Sequence, residues 1–331
     1  MRKLITGTIA AMGLMVTTAL AEGPAVVFDL GGKFDKSFNE AAYNGAERFK
    51  AETGTDYAEF EIQQSSQREQ ALRRFAERGH SPVFGISFSF TEAMKAVATD
   101  FPDTDFIIID GFIPDMDNVQ SVIFKEHEGS YLVGVMAAKA SETGTVGFVG
   151  GMDIPLIRKF ACGYVQGVKS VNPDAEVLQN MTGTTGEAWN NPVKGGELAT
   201  SQMDRGADVV YHAAGGTGLG VLQAVADAGK LGIGVDSNQN YLHPGSVLTS
   251  MLKRVDVAVY DGMKAGMGDG VEAGIKVLGL AEEGVGFALD ENNAELVSAD
   301  IKAAVEEAQA AIISGEIMVH DYTSDDSCPA G

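Results

Sequence analysis

Residues 30 to 49, LGGKFDKSFNEAAYNGAERF, follow a short apolar run that ends in Asp29, and they place chemically capable side chains at a helix start. Ser37 and Glu40 fit the pattern S-x-x-E, which predicts Ser37 as a helix N-cap with Phe38 and Asn39 in the first turn. Lys36 and Ala41 do not form the apolar pair that would make Phe38 part of a staple. Ala42, Ala46 and Phe49 already supply an inward face. Two readings of Phe38 remain. Its ring projects into a cleft and offers its face to a planar ligand, with Asn39 and Asp29 at the edge, or it is tucked under its own loop.

The elements that must position such residues alternate regularly. Apolar runs at 25–28, 106–109, 146–149 and 208–211 are each followed by Asp-, Gly- or Ser-rich residues and then by helical spacing. Four strand-helix units begin at Pro24, Tyr57, Pro82 and Asp105, and four more at Thr145, Glu176, Asp208 and Gly232. Residues 119–124 read as a strand leading into a helix over 126–140, and residues 246–253 as a similar connection. Continuous apolar strands between amphipathic helices predict an α/β protein with parallel sheets covered on both faces. Two doubly wound lobes would leave a cleft lined by loops at the carboxyl ends of their strands.

The chain opens with Arg2 and Lys3, an apolar run from Leu4 to Leu20 and the small-x-small sequence Ala19-Leu20-Ala21. This predicts a secretory leader cleaved after Ala21 and a periplasmic location. No cysteine follows the run, so a lipid anchor has no expected attachment point. Loss of the leader takes the formal charge from −22 to −24, because residues 1–21 hold two cations and no acid. So acidic a surface repels nucleic acid and anionic lipid. Cys162 and Cys328 allow a single intramolecular pairing, and in an oxidising compartment a disulfide is expected to tie the tail to the middle of the chain.

The glycine-rich stretch AAGGTGLG, residues 213–220, lacks the spacing of a dinucleotide loop and has no Lys-Ser/Thr after it. Gly215 and Gly216 read instead as positions where backbone approaches a ligand closely, near a helix start at Thr217. No arginine fork stands in these motifs, which favours a neutral ligand over a phosphorylated one. Asp29, Asp35 and Asp110 raise a metal-dependent hydrolase. There is, however, no tight acidic cluster, no H-E-x-x-H, no Cys/His ligand spacing and no G-x-S-x-G, so no enzyme and no cofactor are expected. A ligand-controlled transcription factor would need a basic helix-turn-helix where this chain carries its leader.

Four stretches in order, DLGGKFDKSFNEAAYNG, VGFVGGMDIPLIRKF, YHAAGGTGLGVLQA and IGVDSNQNYLHPGSVLTSMLKRVDVAVYD, resemble the basic membrane protein family, the purine-nucleoside-receptor-like substrate-binding components of ABC transporters. The similarity covers residues 25 to 322. It implies the type I periplasmic-binding fold, two Rossmann-like lobes joined by a three-crossover hinge. With the element pattern this divides the chain into the leader 1–21, an N-terminal lobe of 22–125 plus 254–280, and a C-terminal lobe of 126–253 plus 281–331. The implied function is capture of a nucleoside, in the best-understood members a purine nucleoside, by hinge closure for a membrane permease. A monomer is expected.

The resemblance makes Phe38 one face of an aromatic sandwich, with Asn39 and Asp110 on the base edge and Trp189, the only tryptophan, as the second face. A core anchor is the alternative for Trp189, although Glu187, Asn190 and Asn191 beside it suggest a wet edge. Asp236 offers two acceptor oxygens that suit a ribose diol, and Lys253 would donate to the same sugar. The alternative is an Asp236–Lys253 ion pair across the hinge that never meets ligand. Ser87 and Phe88, in GISFSF, fall at another cleft edge. His212 stands where relatives are expected to carry a less polar residue; it reads as hydrogen-bonded scaffold or as a reshaped base site. A different polar or aromatic metabolite, or presentation of ligand to a sensor rather than a permease, stays open as the alternative.

Overall fold

The computed structural model describes residues 22–268 and 270–330, so the expected leader at residues 1–21 lies outside it. None of the described helices is long and apolar enough to cross a membrane. Ten strands come first: β1 (Ala25–Phe28), β2 (Ala58–Glu61), β3 (Val83–Ile86), β4 (Phe106–Ile109), β5 (Val119–Phe124), β6 (Thr145–Met152), β7 (Glu176–Gly183), β8 (Val209–Ala213), β9 (Leu231–Asp236) and β10 (Val247–Lys253). Two short late strands follow, β11 (Gly274–Leu278) and β12 (Val285–Phe287).

They build two six-stranded sheets with matching orders, β11-β5-β4-β3-β1-β2 and β12-β10-β9-β8-β6-β7. All pairings are parallel except β12 against β10. β1, β3 and β4 are buried along their whole length, which is why their sequences run apolar without alternation. Among the described residues nine α-helices cover the faces: α1 (Phe38–Thr53), α2 (Arg68–Glu77), α3 (Thr91–Asp100), α4 (Glu126–Ala140), α5 (Pro155–Val171), α6 (Pro192–Asp204), α7 (Gly218–Asp227), α8 (Val255–Gly266) and α9 (Ala299–Ser314).

In each half the fourth unit departs from the expected strand-helix pattern. Residues 110–118 join β4 to β5 without a helix, and residues 237–246 join β9 to β10 through a single 3-10 turn, Asn240–Leu242. Gly111 and Pro114 in the first, and Pro244 and Gly245 in the second, interrupt helical propagation. The chain crosses between the sheets three times, at Lys125, at Arg254 and over residues 279–284. A disulfide joins Cys162 on α5 to Cys328, and the Gln166 side-chain amide exchanges two hydrogen bonds with the His320 backbone, fixing the tail along α5.

Candidate functional site

The carboxyl ends of strands from both sheets meet at one cavity enclosing about 610 Å³ of space free of protein atoms, part of it open to solvent. The first sheet's half supplies Asp29 after β1, Ser87 and Phe88 after β3, Asp110 after β4, and Asp35, Phe38 and Asn39 at the start of α1. The other half supplies Trp189, Ala213 and Gly215, Val235 and Asp236 at the end of β9, Lys253 at the end of β10, and Leu156, Ile157 and Phe160 from α5. Of the residues expected to bind ligand, Gly216 is the one absent from the cavity lining. A Cβ there would sit 3.3 Å from the Trp189 carbonyl oxygen. Phe38 and Trp189 are both half-buried and both on the wall, so neither is wholly tucked away.

Three non-glycine residues on this wall hold positive φ: Ser87 at 141°, Asp110 at 65° and Asp236 at 64°. Each directly follows or ends a buried strand. Left-handed backbone costs an ordinary L-residue roughly 1–2 kcal/mol, and such strain collects at sites where geometry matters more than stability.

The predicted cap is corrected at the start of α1. Ser37 makes no side-chain capping bond. Asp35 does the work instead, its Oδ1 accepting from the backbone N–H of Ser37 at 2.8 Å and Glu40 at 3.1 Å, and its Oδ2 from Asn39 at 3.1 Å. Glu40 reaches past the cap to accept from the Lys36 N–H at 3.1 Å. An aspartate three residues ahead of the helix satisfies three donors at its start where a serine satisfies one, which frees the Ser37 hydroxyl. Burial pushes the Asp35 carboxyl up to about 7 despite those three donors.

The freed Ser37 hydroxyl donates to Asp236 Oδ2 across the cavity. Two more bonds run beside it, Ser237 Oγ to the Ser37 carbonyl at 3.0 Å and Gln239 Nε2 to the Lys36 carbonyl at 2.9 Å. Asp236 forms no ion pair with Lys253, contrary to one expectation. The buried Lys253 ammonium lies 2.6 Å from Asp110 Oδ2 and 2.9 Å from Glu126 Oε1, and Lys159 holds the other oxygen of Glu126 at 2.9 Å. Burial disfavours the lysine's charge, but Asp110, Glu126 and Asp236 outweigh it and hold Lys253 above its ordinary range. Burial likewise raises the carboxyls of Asp110 and Asp236, against which Lys253 compensates in part.

Asp29 lines the cavity and is paired with a cation. Its Oδ1 accepts from Arg68 Nε at 3.0 Å and Nη2 at 2.7 Å, so an arginine fork does reach this edge, turned onto Asp29 through two of its five donors. His212 is fully buried on β8, with Nε2 2.9 Å from Gln239 Oε1; burial lowers it to about 4, leaving it neutral scaffold behind the wall. The α5 residues escaped sequence reading. Leu156 and Phe160 share one helical face just after the Pro155 start, and that i,i+4 pair beyond a strand end was the available signal. Among the described residues no His/Cys/Asp/Glu group could hold a metal ion.

A family model described as "ABC transporter substrate-binding protein PnrA-like" matches residues 24–323. The CD4+ T-cell-stimulating antigen of Listeria monocytogenes is 36% identical over 321 residues, 89% of this chain and 87% of that protein. The ABC transporter nucleoside-binding protein BmpA of Lactococcus lactis is 36% identical over 318 residues, 89% and 88% of the two chains. The crystal structure of an ABC transporter solute-binding protein from Aeropyrum pernix superposes with a TM-score of 0.83 at 31% identity, covering 92% of this chain and 94% of the other. Relatives from Pyrococcus abyssi, P. furiosus and P. horikoshii, 34, 36 and 36% identical over 86, 80 and 80% of this chain, are named lipoproteins. That finding overturns the expected periplasmic location without a lipid anchor.

Proposed function

The chain belongs to the Bmp family of PnrA-like ABC transporter substrate-binding proteins, and from that premise we propose that its cavity captures a nucleoside, in first place a purine nucleoside, by closure of two lobes. The family is one of solute-binding proteins, not enzymes, whose partner is an ABC permease. The observation that carries the ligand reading is that Phe38 and Trp189, drawn from different halves of the molecule, line the same cavity together with polar side chains. Aromatic rings stack on a base whatever its edge chemistry, each contributing about 1–3 kcal/mol. Asn39 and Asp110 then serve the base edge, and Asp236 with Lys253 the sugar hydroxyls. The printed name of the Lactococcus relative supports the same class.

Charge separates a nucleoside from a nucleotide. Asp35, Asp110 and Asp236 line the cavity against the single wall ammonium of Lys253, which already faces Asp110 and Glu126. A phosphate would meet these acids, with the Lys253 ammonium and the Arg68 guanidinium already turned onto carboxylates.

The moving bodies in this reading are residues 22–125 with 254–280 and residues 126–253 with 281–331, in accord with the membership of the two sheets. The Ser37–Asp236, Ser237–Ser37, Gln239–Lys36 and Lys253–Asp110 contacts cross between them and favour the closed arrangement. A ligand touching both sides shifts the balance further, in proportion to its preference for the closed form. Calorimetry with purine and pyrimidine nucleosides, free bases and unrelated metabolites tests the proposal. Nucleoside binding is the expected result, and silence toward every nucleoside beside clear binding of another metabolite overturns it.

A further inference from the structure

Resting on the nucleoside reading, we infer that Asn39 and Asp110 make the site selective for 6-oxopurine nucleosides, which carry an N–H at ring position 1, over 6-aminopurine nucleosides, which carry a lone pair there. Two residues that line the cavity each hold a buried oxygen without a hydrogen-bond partner, Asn39 Oδ1 and Asp110 Oδ1. The orientation of the Asn39 amide is fixed by its other end, since Nδ2 lies 3.5 Å from the Asp29 carbonyl oxygen and 3.3 Å from that of Gly32. Turning it over would set oxygen against two oxygens. Asp110 is directed in the same way, its Oδ2 held by the Lys253 ammonium at 2.6 Å, which leaves Oδ1 free.

Both unmet groups are therefore acceptors, and a buried acceptor without a donor is costly until a ligand supplies one. A 2-amino-6-oxopurine edge presents two adjacent N–H donors, one on the ring and one on the amino group, and inosine presents the ring donor. Adenosine offers its 6-amino hydrogens but turns the N1 lone pair toward an acceptor, so one buried oxygen stays unmet and faces a second lone pair. The 6-oxo group in turn needs a donor. The Ser87 hydroxyl, whose oxygen accepts from the Ser89 N–H at 3.1 Å, still has its hydrogen to give.

Calorimetry on the intact protein at about pH 8, where Asp110 is a carboxylate, with guanosine, inosine and adenosine is the test. Guanosine and inosine are expected to bind about tenfold or more tightly than adenosine. In Asp110→Asn, whose amide can donate to N1, the ratio should fall or reverse. Nucleoside binding with a ratio below about tenfold, or in favour of adenosine, overturns the selectivity and leaves the nucleoside reading standing. Binding of no nucleoside at all overturns both.

Discussion

Ser37, one residue ahead of α1, donates its hydroxyl hydrogen to Oδ2 of Asp236 at the end of β9, joining the two halves of the molecule at the cavity. Both partners are buried. If the bond exists only in the closed form, its loss acts on closure and not on the folding of either half. Ser37→Ala should therefore weaken ligand binding about tenfold or more, from the roughly 1.5–3 kcal/mol of a hydrogen bond to a charged group. Ligand-free melting should barely move. Calorimetry and thermal unfolding decide it together, and a lowered melting temperature with unchanged affinity would show the bond to be a folding contact instead.

Lys253 is the cation between Asp110 and Glu126, with only 2% of its side chain exposed. Lys253→Met keeps most of the volume and leaves two buried carboxylates short of a partner, although Lys159 still holds Glu126. Removing one member of a buried pair costs about 3–5 kcal/mol. The deficit should shrink in acid, because Asp110, already raised by burial, takes up a proton more readily once the ammonium is gone. Urea unfolding at about pH 8 and about pH 5 measures both, and a deficit independent of pH argues against the charge account.

Much of this architecture was legible because it rests on local rules. Fully buried parallel strands must run apolar, as 25–28 and 106–109 do, and helix 126–140 stands where the spacing puts it. What escaped depends on partners distant in the chain. S-x-x-E around Ser37 reads as a cap, yet Asp35 outcompetes the serine by taking three N–H groups, and the serine finds its partner 199 residues away. Arg68 and Glu126 carry no motif that announces Asp29 or Lys253 as their counterparts. Charge pairing across folded halves has no periodicity to read.

Asp35 provides a pH signature with a definite sign. Burial moves its carboxyl from 3.8 to about 7 in the folded chain, with Asp236 adding repulsion. Between those values the folded protein binds a proton there that the unfolded chain does not, so this group's contribution is full below the lower value and fades as pH rises through the upper. Asp35→Asn keeps an acceptor oxygen for the α1 donors but cannot ionise. Across about pH 5 to 8.5 its melting temperature should rise relative to the parent as pH rises. A difference that stays constant over that range would remove Asp35 as the titrating group.

Gly151, near the end of β6, lies flat beneath Trp189: a methyl there would overlap Cζ3 and Cε3 of the indole. Its φ is not in the left-handed region, so alanine is acceptable to the backbone and the conflict is with the ring alone. Gly151→Ala should push the indole off its seat, and because this is the chain's only tryptophan its fluorescence reports the displacement without background. Ligand affinity should fall by the same order as in Trp189→Ala, about 1–3 kcal/mol for one stacking face. The decisive comparison is the double variant. With the ring already removed there is nothing for the methyl to strike, so Gly151→Ala should add no further loss to Trp189→Ala. Additive losses would mean that Gly151 serves the ligand by another route and that the indole is not what its missing side chain accommodates.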